Sequence, residues 1–293
     1  MRGKRPERVD DLFVDAFGVT THYHRWPARG DSRGVVQIAH GLGEHALRYR
    51  HVAELLQDSG FDVWAHHHRG HGPTGREQWA DDLRKMGRLG PGGLPATVRA
   101  IRDFTAIIRQ HHPSLPLAFL GHSWGSLMGQ MLLNQGFAHE VDAVVLTGTT
   151  YRLPGYMNAG DLNARHRHLG STGAEWLSRD TRVHQAWVDD PDTFPAKTLQ
   201  LFGPLDAARL IGRPGPVGRD LPLLLMVGDD DSLGGRRGVE ALERAYRTRG
   251  GLTQIETRVY PGARHEVFNE TNRDEVLSDL VTWLGQNLPT PQP

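Results

Sequence analysis

The chain has 293 residues, no cysteine, and 34 basic and 34 acidic side chains, so its formal charge is zero with histidine neutral. The lack of cysteine excludes a disulfide framework, a thiol nucleophile and cysteine-ligated zinc. The balanced charge, without long blocks of one sign, predicts no nucleic-acid partner. No apolar run is long enough to span a bilayer or to form a signal peptide, so we expect a soluble, cytoplasmic protein.

Short apolar runs alternate with helical patterns along much of the chain, which predicts an α/β fold with a mostly parallel sheet covered by helices on both faces. Residues 12–26 are predicted to form an antiparallel strand pair at one edge of that sheet. Further strands are predicted at residues 35–39, 61–65, 117–120, 141–146, 223–227 and 255–260. The spacing of apolar side chains predicts helices near residues 49–60, 101–112, 124–134, 239–246 and 277–288.

The segment 151–219 interrupts this alternation. It is rich in glycine, proline, arginine and aromatic residues, and it separates two predicted strands that could otherwise be joined directly. An insertion at that point would lie above the carboxyl ends of the strands, where open α/β sheets bind ligands. We therefore predict a core of residues 1–150 and 220–288, a cap of residues 151–219, and a disordered tail of residues 289–293.

The pattern Gly-x-Ser-x-Gly occurs twice, in two different contexts. Residues 30–34, around Ser32, lie in a polar stretch with no helical pattern after it, so we interpret this copy as a loop. Residues 121–125 follow an apolar strand and open a helix, which is the arrangement of a nucleophile elbow that exposes the hydroxyl of Ser123. The alternative is a tight strand-to-helix turn without chemistry.

A serine hydroxyl is a poor nucleophile at neutral pH and needs a base that takes its proton. Among the 17 histidines, His265 stands out because it follows a late predicted strand. Asp229, Asp230 and Asp231 follow another late strand, and any of them could orient the imidazole and stabilise its charged form. The chain order serine, aspartate, histidine is the one that α/β hydrolases use.

A glycine-containing turn at residues 40–45 follows the predicted strand 35–39 and can reach the nucleophile. The backbone N–H groups of Leu42 and Trp124 are the expected donors to a developing oxyanion, each worth about 3 kcal/mol of transition-state stabilisation. We interpret Glu44 and His45 in the same turn as polar groups that serve the N-terminus of the following helix.

Four motifs, in this order, resemble the monoacylglycerol lipase and lysophospholipase-like branch of the α/β hydrolases, often labelled serine aminopeptidase-type. They are His-Gly-Leu-Gly-Glu-His at 40–45, Arg-Gly-His-Gly at 69–72, Gly-His-Ser-Trp-Gly at 121–125 and Tyr-Pro-Gly-Ala-Arg-His at 260–265. The resemblance covers nearly the whole chain and implies an α/β-hydrolase fold with an inserted cap. It implies a triad of Ser123, Asp231 and His265, because the family's acid follows a glycine by three residues. It also places Leu42 and Trp124 at the oxyanion positions.

One position departs from the family pattern, which usually has an acidic residue two positions before the arginine of Arg-Gly-His-Gly. Here His66, His67 and His68 occupy that stretch, so a carboxylate that could pair with Arg69 is missing from it. His66 and His68 could share one side of a strand and approach His71. Because no further ligand stands at a recognisable spacing, we favour surface or hydrogen-bonded histidines over a metal site.

The family suggests hydrolysis of carboxylic esters such as monoacylglycerols or lysophospholipids, without a cofactor. The partner would be a small-molecule or lipid ester. Transient contact of the protein with a membrane surface would be compatible with such substrates. An acyltransferase or a peptidase would keep the same triad, whereas a non-catalytic binding protein usually lacks one triad member. Six large cap residues could line an acyl site or pack the cap's own core. These residues are Tyr156, Met157, Trp176, Trp187, Phe194 and Phe202.

Overall fold

A single sheet of eight strands runs through residues 5–290, the part of the chain that the computed structural model describes. The strands are β1 (Val9–Val14), β2 (Thr20–Trp26), β3 (Val35–Ala39), β4 (Asp62–His66), β5 (Leu117–His122), β6 (Ala143–Thr147), β7 (Leu223–Gly228) and β8 (Ile255–Tyr260). Their spatial order is β1-β2-β4-β3-β5-β6-β7-β8. The strands from β4 to β8 pair in parallel, and β1 and β2 add antiparallel strands at one edge, as predicted.

Successive strand residues point to opposite sides of the sheet. Because the central strands are buried at every position, helices must cover both faces. The helices are α1 (Arg50–Asp58), α2 (Gly72–Gln78), α3 (Gly93–His111), α4 (Trp124–Leu133), α5 (Thr181–Asp189), α6 (Thr198–Arg209), α7 (Gly235–Ala245) and α8 (Arg273–Asn287). Helices α3, α4 and α7 pack on one face in one apolar cluster, and α1 and α8 pack on the other face in a second cluster. Strand β7 is buried at all six positions, which explains its continuous apolar sequence.

The segment 151–219 contains α5, α6 and several turns, and it touches the core at separate points. The N–H of Phe194 donates to the carbonyl of Gly43 at 3.0 Å, and the N–H of Glu266 donates to the carbonyl of Leu177 at 2.7 Å. The carboxylate of Asp206, on α6, accepts the N–H of Leu94 at the start of α3 at 2.8 Å. These bonds fix the segment beside the loops that follow β3 and β8.

The chain ends just after α8, where Pro289 and Thr290 are exposed and lack regular structure. Residues 1–4 and residues 291–293, which belong to the predicted tail, lie outside the described residues. Among the helices of residues 5–290, none combines the length and the apolar character that a bilayer span needs.

Candidate active site

Ser123 occupies the sharp turn between β5 and α4, at the carboxyl edge of the sheet. Its backbone has φ +51° and ψ −121°, a strained combination for a residue with a side chain and one that clusters at functional sites. Its N–H donates to the carbonyl of Thr147, at the end of β6, at 2.9 Å. The turn therefore holds a partly exposed serine at the end of a strand, as a nucleophile elbow does.

The two motif glycines are required by close backbone contacts. A Cβ on Gly121 would lie 2.7 Å from the carbonyl oxygen of Gly125, and a Cβ on Gly125 would overlap the carbonyl oxygen of Ala39. A side chain at either position would force α4 away from the strands. The other copy of the motif lies in a loop, as predicted, where the hydroxyl of Ser32 donates to a backbone carbonyl.

His265 and Asp231 form a buried pair in the loops that follow β8 and β7. The Nδ1 atom of His265 lies 2.9 Å from Oδ1 of Asp231, which also accepts the N–H of Leu233 at 2.8 Å. Because a carboxylate only accepts, Nδ1 carries the hydrogen and Nε2 keeps its lone pair. Nε2 has no hydrogen-bond partner among the described residues, so it is free to take a proton from a hydroxyl that approaches it.

The neighbouring aspartates have other partners. Asp229 accepts the N–H of Gly262 at 2.6 Å. Asp230 lies 2.8 Å from Nε2 of His166 and forms an ion pair with Arg165. The geometry thus favours Asp231 over both neighbours as the carboxylate that orients His265.

The surroundings of His265 set its basicity. Burial by itself lowers the pKa of His265, but the charge and the hydrogen bond of Asp231 raise it, as do the charges of Glu266 and Glu44. The net pKa lies above the ordinary value of 6.5. The ring also lies 4.9 Å from that of His122, the residue before Ser123, which brings the imidazole to the elbow.

The turn at residues 40–45 lies against the nucleophile. A Cβ added to Gly41 would lie 3.1 Å from Cβ of Ser123. The carboxylate of Glu44 accepts the N–H of Gly41 at 2.5 Å and the hydroxyl of Tyr49 at 2.6 Å, so it braces the turn from within. Glu44 also accepts Nε of Arg48 at 3.1 Å, so its carboxylate binds two side chains of the following helical turn but none of the backbone N–H groups there.

His45 also differs from its predicted role. It occupies the position before the next helical turn but makes no side-chain hydrogen bond to it. Its Nε2 instead lies 2.8 Å from Oδ2 of Asp190, in the segment after α5. The turn that follows β3 is thus tied to the predicted cap.

The six cap residues proposed for an acyl site fall into two groups. Three of them contact residues at the elbow or its loops: Trp176 lies 4.7 Å from the ring of His265, Phe202 lies 5.2 Å from Trp124, and Phe194 lies 5.3 Å from His71. The remaining three contact residues away from the elbow: the ring of Tyr156 lies against Tyr151 and Arg237, Met157 donates its N–H to Leu153, and Trp187 accepts from Thr193. The structure therefore brings half of the set to the site.

The histidine-rich stretch at the end of β4 is fully buried, and its side chains form hydrogen bonds with one another and with other buried histidines. His67 Nε2 lies 2.8 Å from His24 Nε2, and His68 Nδ1 lies 3.1 Å from His66 Nε2. His68 also donates its backbone N–H to Nε2 of His40 at 2.9 Å. Among residues 5–290, no three His, Asp or Glu side chains converge as ligands of a metal ion.

The family model for serine aminopeptidase, S33, matches residues 30–272 of the chain. The chain belongs to this family. It is 32% identical to the monoacylglycerol lipase of Mycolicibacterium smegmatis, over 96% of this chain and 98% of that protein. It is 25% identical to human monoglyceride lipase, over 94% of this chain and 90% of that protein.

The fold is similar to that of a soluble variant of monoglyceride lipase from Saccharomyces cerevisiae, crystallised with a substrate analog. The TM-score is 0.74 at 20% identity, covering 99% of this chain and 97% of that chain. The predicted α/β-hydrolase fold and the predicted family branch are both confirmed. The protein is a carboxylic ester hydrolase.

Several contacts at the site had no signal in the sequence. Glu266 binds Arg48 through both carboxylate oxygens, at 2.8 and 2.7 Å, across 218 residues of chain. His45 and Asp190 are 145 residues apart. Such pairs depend on tertiary packing. The one signal in the sequence is that Glu266 directly follows His265.

Proposed function

We propose that the protein hydrolyses acyl esters of the monoacylglycerol or lysophospholipid type through Ser123, His265 and Asp231. The observation that carries the proposal is the strained Ser123 backbone beside a buried imidazole whose Nδ1 is bonded to a carboxylate and whose Nε2 is free. This combination supplies a nucleophile, a base and the group that orients the base. The relatives named as monoacylglycerol and monoglyceride lipases support the substrate class.

The reaction follows from the roles of these atoms. Oγ of Ser123 attacks the ester carbonyl carbon while its proton passes to Nε2 of His265. The carbonyl oxygen becomes an oxyanion that accepts hydrogen bonds from the N–H groups of Leu42 and Trp124. The charged imidazole then protonates the departing alcohol, which leaves an acyl group on Oγ of Ser123. A water gives a proton to the same Nε2 and attacks the acyl carbon. The bond from that carbon to Oγ breaks, the imidazole returns the proton to Oγ, and the acid leaves.

The acyl chain would lie under the segment 151–219, which we propose to be a cap. Trp176, Phe194 and Phe202 support this placement because their rings contact residues beside the elbow. Aromatic side chains at a pocket wall favour an acyl chain through burial of apolar surface.

The cap also has exposed apolar side chains. Leu199 and Leu205, on α6, are 64% and 75% exposed, and Ile211 after that helix is 49% exposed. We propose that this part of the cap touches lipid surfaces transiently, where long-chain esters reside. Co-sedimentation with phosphatidylcholine vesicles, compared between the unaltered protein and Leu205→Glu, tests this contact.

The activity is tested with p-nitrophenyl esters of increasing chain length, followed by a monoacylglycerol and a lysophosphatidylcholine. We expect Ser123→Ala to abolish turnover and Ser32→Ala, the matched control in the other motif, to leave it unchanged. A fluorophosphonate should label Ser123 in the intact protein. Labelling of Ser32, or full activity of Ser123→Ala, would refute the assignment. Competing alcohol acceptors and p-nitroanilides in the same assay distinguish an acyltransferase and a peptidase.

A further inference from the structure

His71 is fully buried and its two ring nitrogens bind two different backbone groups. Nδ1 lies 2.9 Å from the carbonyl oxygen of Arg69, and Nε2 accepts the N–H of Gly43 at 3.2 Å. A carbonyl only accepts, so Nδ1 carries the hydrogen and Nε2 can accept only while the ring is neutral. Burial lowers the pKa of His71 to about 4, which keeps the ring neutral at neutral pH.

The residue that His71 binds lies next to an expected oxyanion donor. Gly43 follows Leu42 directly and has φ +80°, a conformation that favours glycine. Its carbonyl accepts the N–H of Phe194 at 3.0 Å, and a Cβ on Gly43 would overlap the carbonyl oxygen of Phe194. The Gly43 peptide groups are therefore held by His71 on one side and by the cap on the other.

The ring of His71 also touches the residue that carries the second expected donor. Its centroid lies 5.4 Å from the ring of Trp124, at an interplanar angle of 35°, and 5.3 Å from the ring of Phe194, at 34°. Trp124 begins α4 and is almost fully buried. One side chain thus contacts the elements that present both donors.

We propose that His71 is a positioning residue that sets the distance between the oxyanion donors, the N–H groups of Leu42 and Trp124. It acts through the hydrogen bond to Gly43 and through packing on Trp124, without touching the substrate. The inference rests on the proposed role of Ser123 and its oxyanion hole. Such a hole stabilises the transition state only while its donors are held in place before the reaction, so its support should matter for kcat more than for substrate binding.

The test compares two substitutions at this position with a remote control. His71→Phe keeps a ring against Trp124 but removes the acceptor for Gly43, whereas His71→Gln keeps an acceptor at a similar reach. Ile108→Val, in the buried core near the end of α3, is the control for a general loss of packing. Should His71→Phe fail to fold, His71→Met takes its place, since methionine adapts to irregular space and accepts hydrogen bonds only weakly.

We expect His71→Phe to lower kcat about 10- to 100-fold for a p-nitrophenyl ester while KM changes less than about threefold. A trifluoromethyl ketone, which forms a tetrahedral adduct with the serine, should lose affinity by about the same factor as kcat/KM. His71→Gln should retain kcat within about fivefold, and Ile108→Val should match the unaltered protein.

The outcomes separate this inference from the proposed function. If Ser123→Ala abolishes turnover but folded His71→Phe keeps full kcat and full affinity for the ketone, His71 does not position the donors and the triad stands. If His71→Phe and His71→Gln lose kcat equally and in step with melting temperature, the role is packing alone and the inference is overturned. If Ser123→Ala remains active, the proposed function itself fails.

Discussion

Asp15 and Arg69 form a buried ion pair that links the first hairpin of the sheet to the Arg-Gly-His-Gly turn. Nε of Arg69 donates to Oδ2 of Asp15 at 2.6 Å, and both side chains are almost completely excluded from solvent. The other oxygen of Asp15 accepts the N–H groups of Phe17 and Val19. Arg69 therefore has a buried counter-charge, and the β1–β2 turn supplies it, not residues 66–68.

This pair gives a stability prediction for Asp15→Asn. The amide can keep the backbone hydrogen bonds of the turn, but it leaves the buried guanidinium of Arg69 without a counter-charge. Breaking a buried pair in this way costs about 3–5 kcal/mol, so the melting temperature should fall by roughly 10 °C. Asp11→Asn, at an exposed position on β1, is the matched control and should change stability by less than about 0.5 kcal/mol. Equal melting temperatures for the two variants would contradict the role of the pair.

The choice among the three aspartates after β7 is tested by turnover. Asp231→Asn should lower kcat by about 10⁴ with the fold intact, because the amide can donate to Nδ1 and so favour the wrong imidazole tautomer. Asp229→Asn and Asp230→Asn should cost far less, since these carboxylates bind Gly262 and His166. A large loss at either neighbour, with Asp231→Asn active, would show that the assignment is wrong.

The pH dependence of kcat/KM should report the titration of His265. The imidazole must be neutral to act as a base, and its pKa is raised above 6.5 because the charge and hydrogen bond of Asp231 outweigh the effect of burial. Activity should therefore fall as the pH drops, with a midpoint above 6.5. In Asp231→Asn the midpoint of the residual activity should move to lower pH, because burial then acts with less opposition. An unchanged midpoint in that variant would mean that another group controls the acid side.

Much of the fold could be predicted because its elements have local signals. Strand β5 and helix α4 are a continuous apolar run followed by a glycine-flanked serine and a helical pattern, and the structure places them at residues 117–133. Helix α2 has no such signal. Its sequence, Gly-Pro-Thr-Gly-Arg-Glu-Gln, contains two glycines and a proline and no apolar stripe. It is held by tertiary contacts, among them the bond from the N–H of His22, on β2, to the hydroxyl of Thr74 at 2.9 Å.

The candidate site also combines residues that have a local signal in the sequence with contacts that have none. Ser123 and His265 lie in turns whose neighbours in sequence suggest their chemistry, so pattern and chain order indicate them as candidates. The contacts that brace the neighbouring turns at residues 40–45 and 69–72 join distant residues, such as Asp15 with Arg69 and His45 with Asp190. Their pairing depends on which loops the sheet order brings together, and no spacing in the sequence specifies that order.

The buried histidines predict an unusual loss of stability in acid. Burial, the largest cause in each case, lowers the pKa of six buried imidazoles. These residues are His40, His66, His67, His68, His71 and His122. The unfolded chain binds protons below about pH 6.5 while the folded chain does not, so each group removes about 1.4 kcal/mol of stability per pH unit below that value. The pKa of His265 is raised, so this residue contributes in the opposite direction, but it is a single group and the other six outweigh it.

Urea unfolding at pH 7.5, 6.5 and 5.5 measures this slope. His66→Phe, next to Phe104 in the core, should reduce the slope by about one proton, since burial lowers the pKa of His66 to about 3. His168→Gln, at an exposed position, should leave the slope unchanged. A free energy of unfolding that is constant from pH 7.5 to 5.5 would contradict the prediction.

Trp176 and Phe202 approach the elbow from the proposed cap. A side chain that lines an acyl site adds transition-state contacts for a long chain that a short chain cannot make, at roughly 0.8 kcal/mol per buried methylene. Trp176→Ala and Phe202→Ala should therefore change kcat/KM by different factors for octanoyl and acetyl esters. Trp187→Ala is the matched control, because Trp187 lies on α5 and the hydroxyl of Thr193 donates to its backbone carbonyl, which the substitution keeps. A residue that only holds the cap together should lower both values by the same factor. Melting temperatures of the same variants separate the two roles. If Trp176→Ala and Phe202→Ala lower kcat/KM equally for both esters, in proportion to the loss of stability, the segment 151–219 does not line the acyl site.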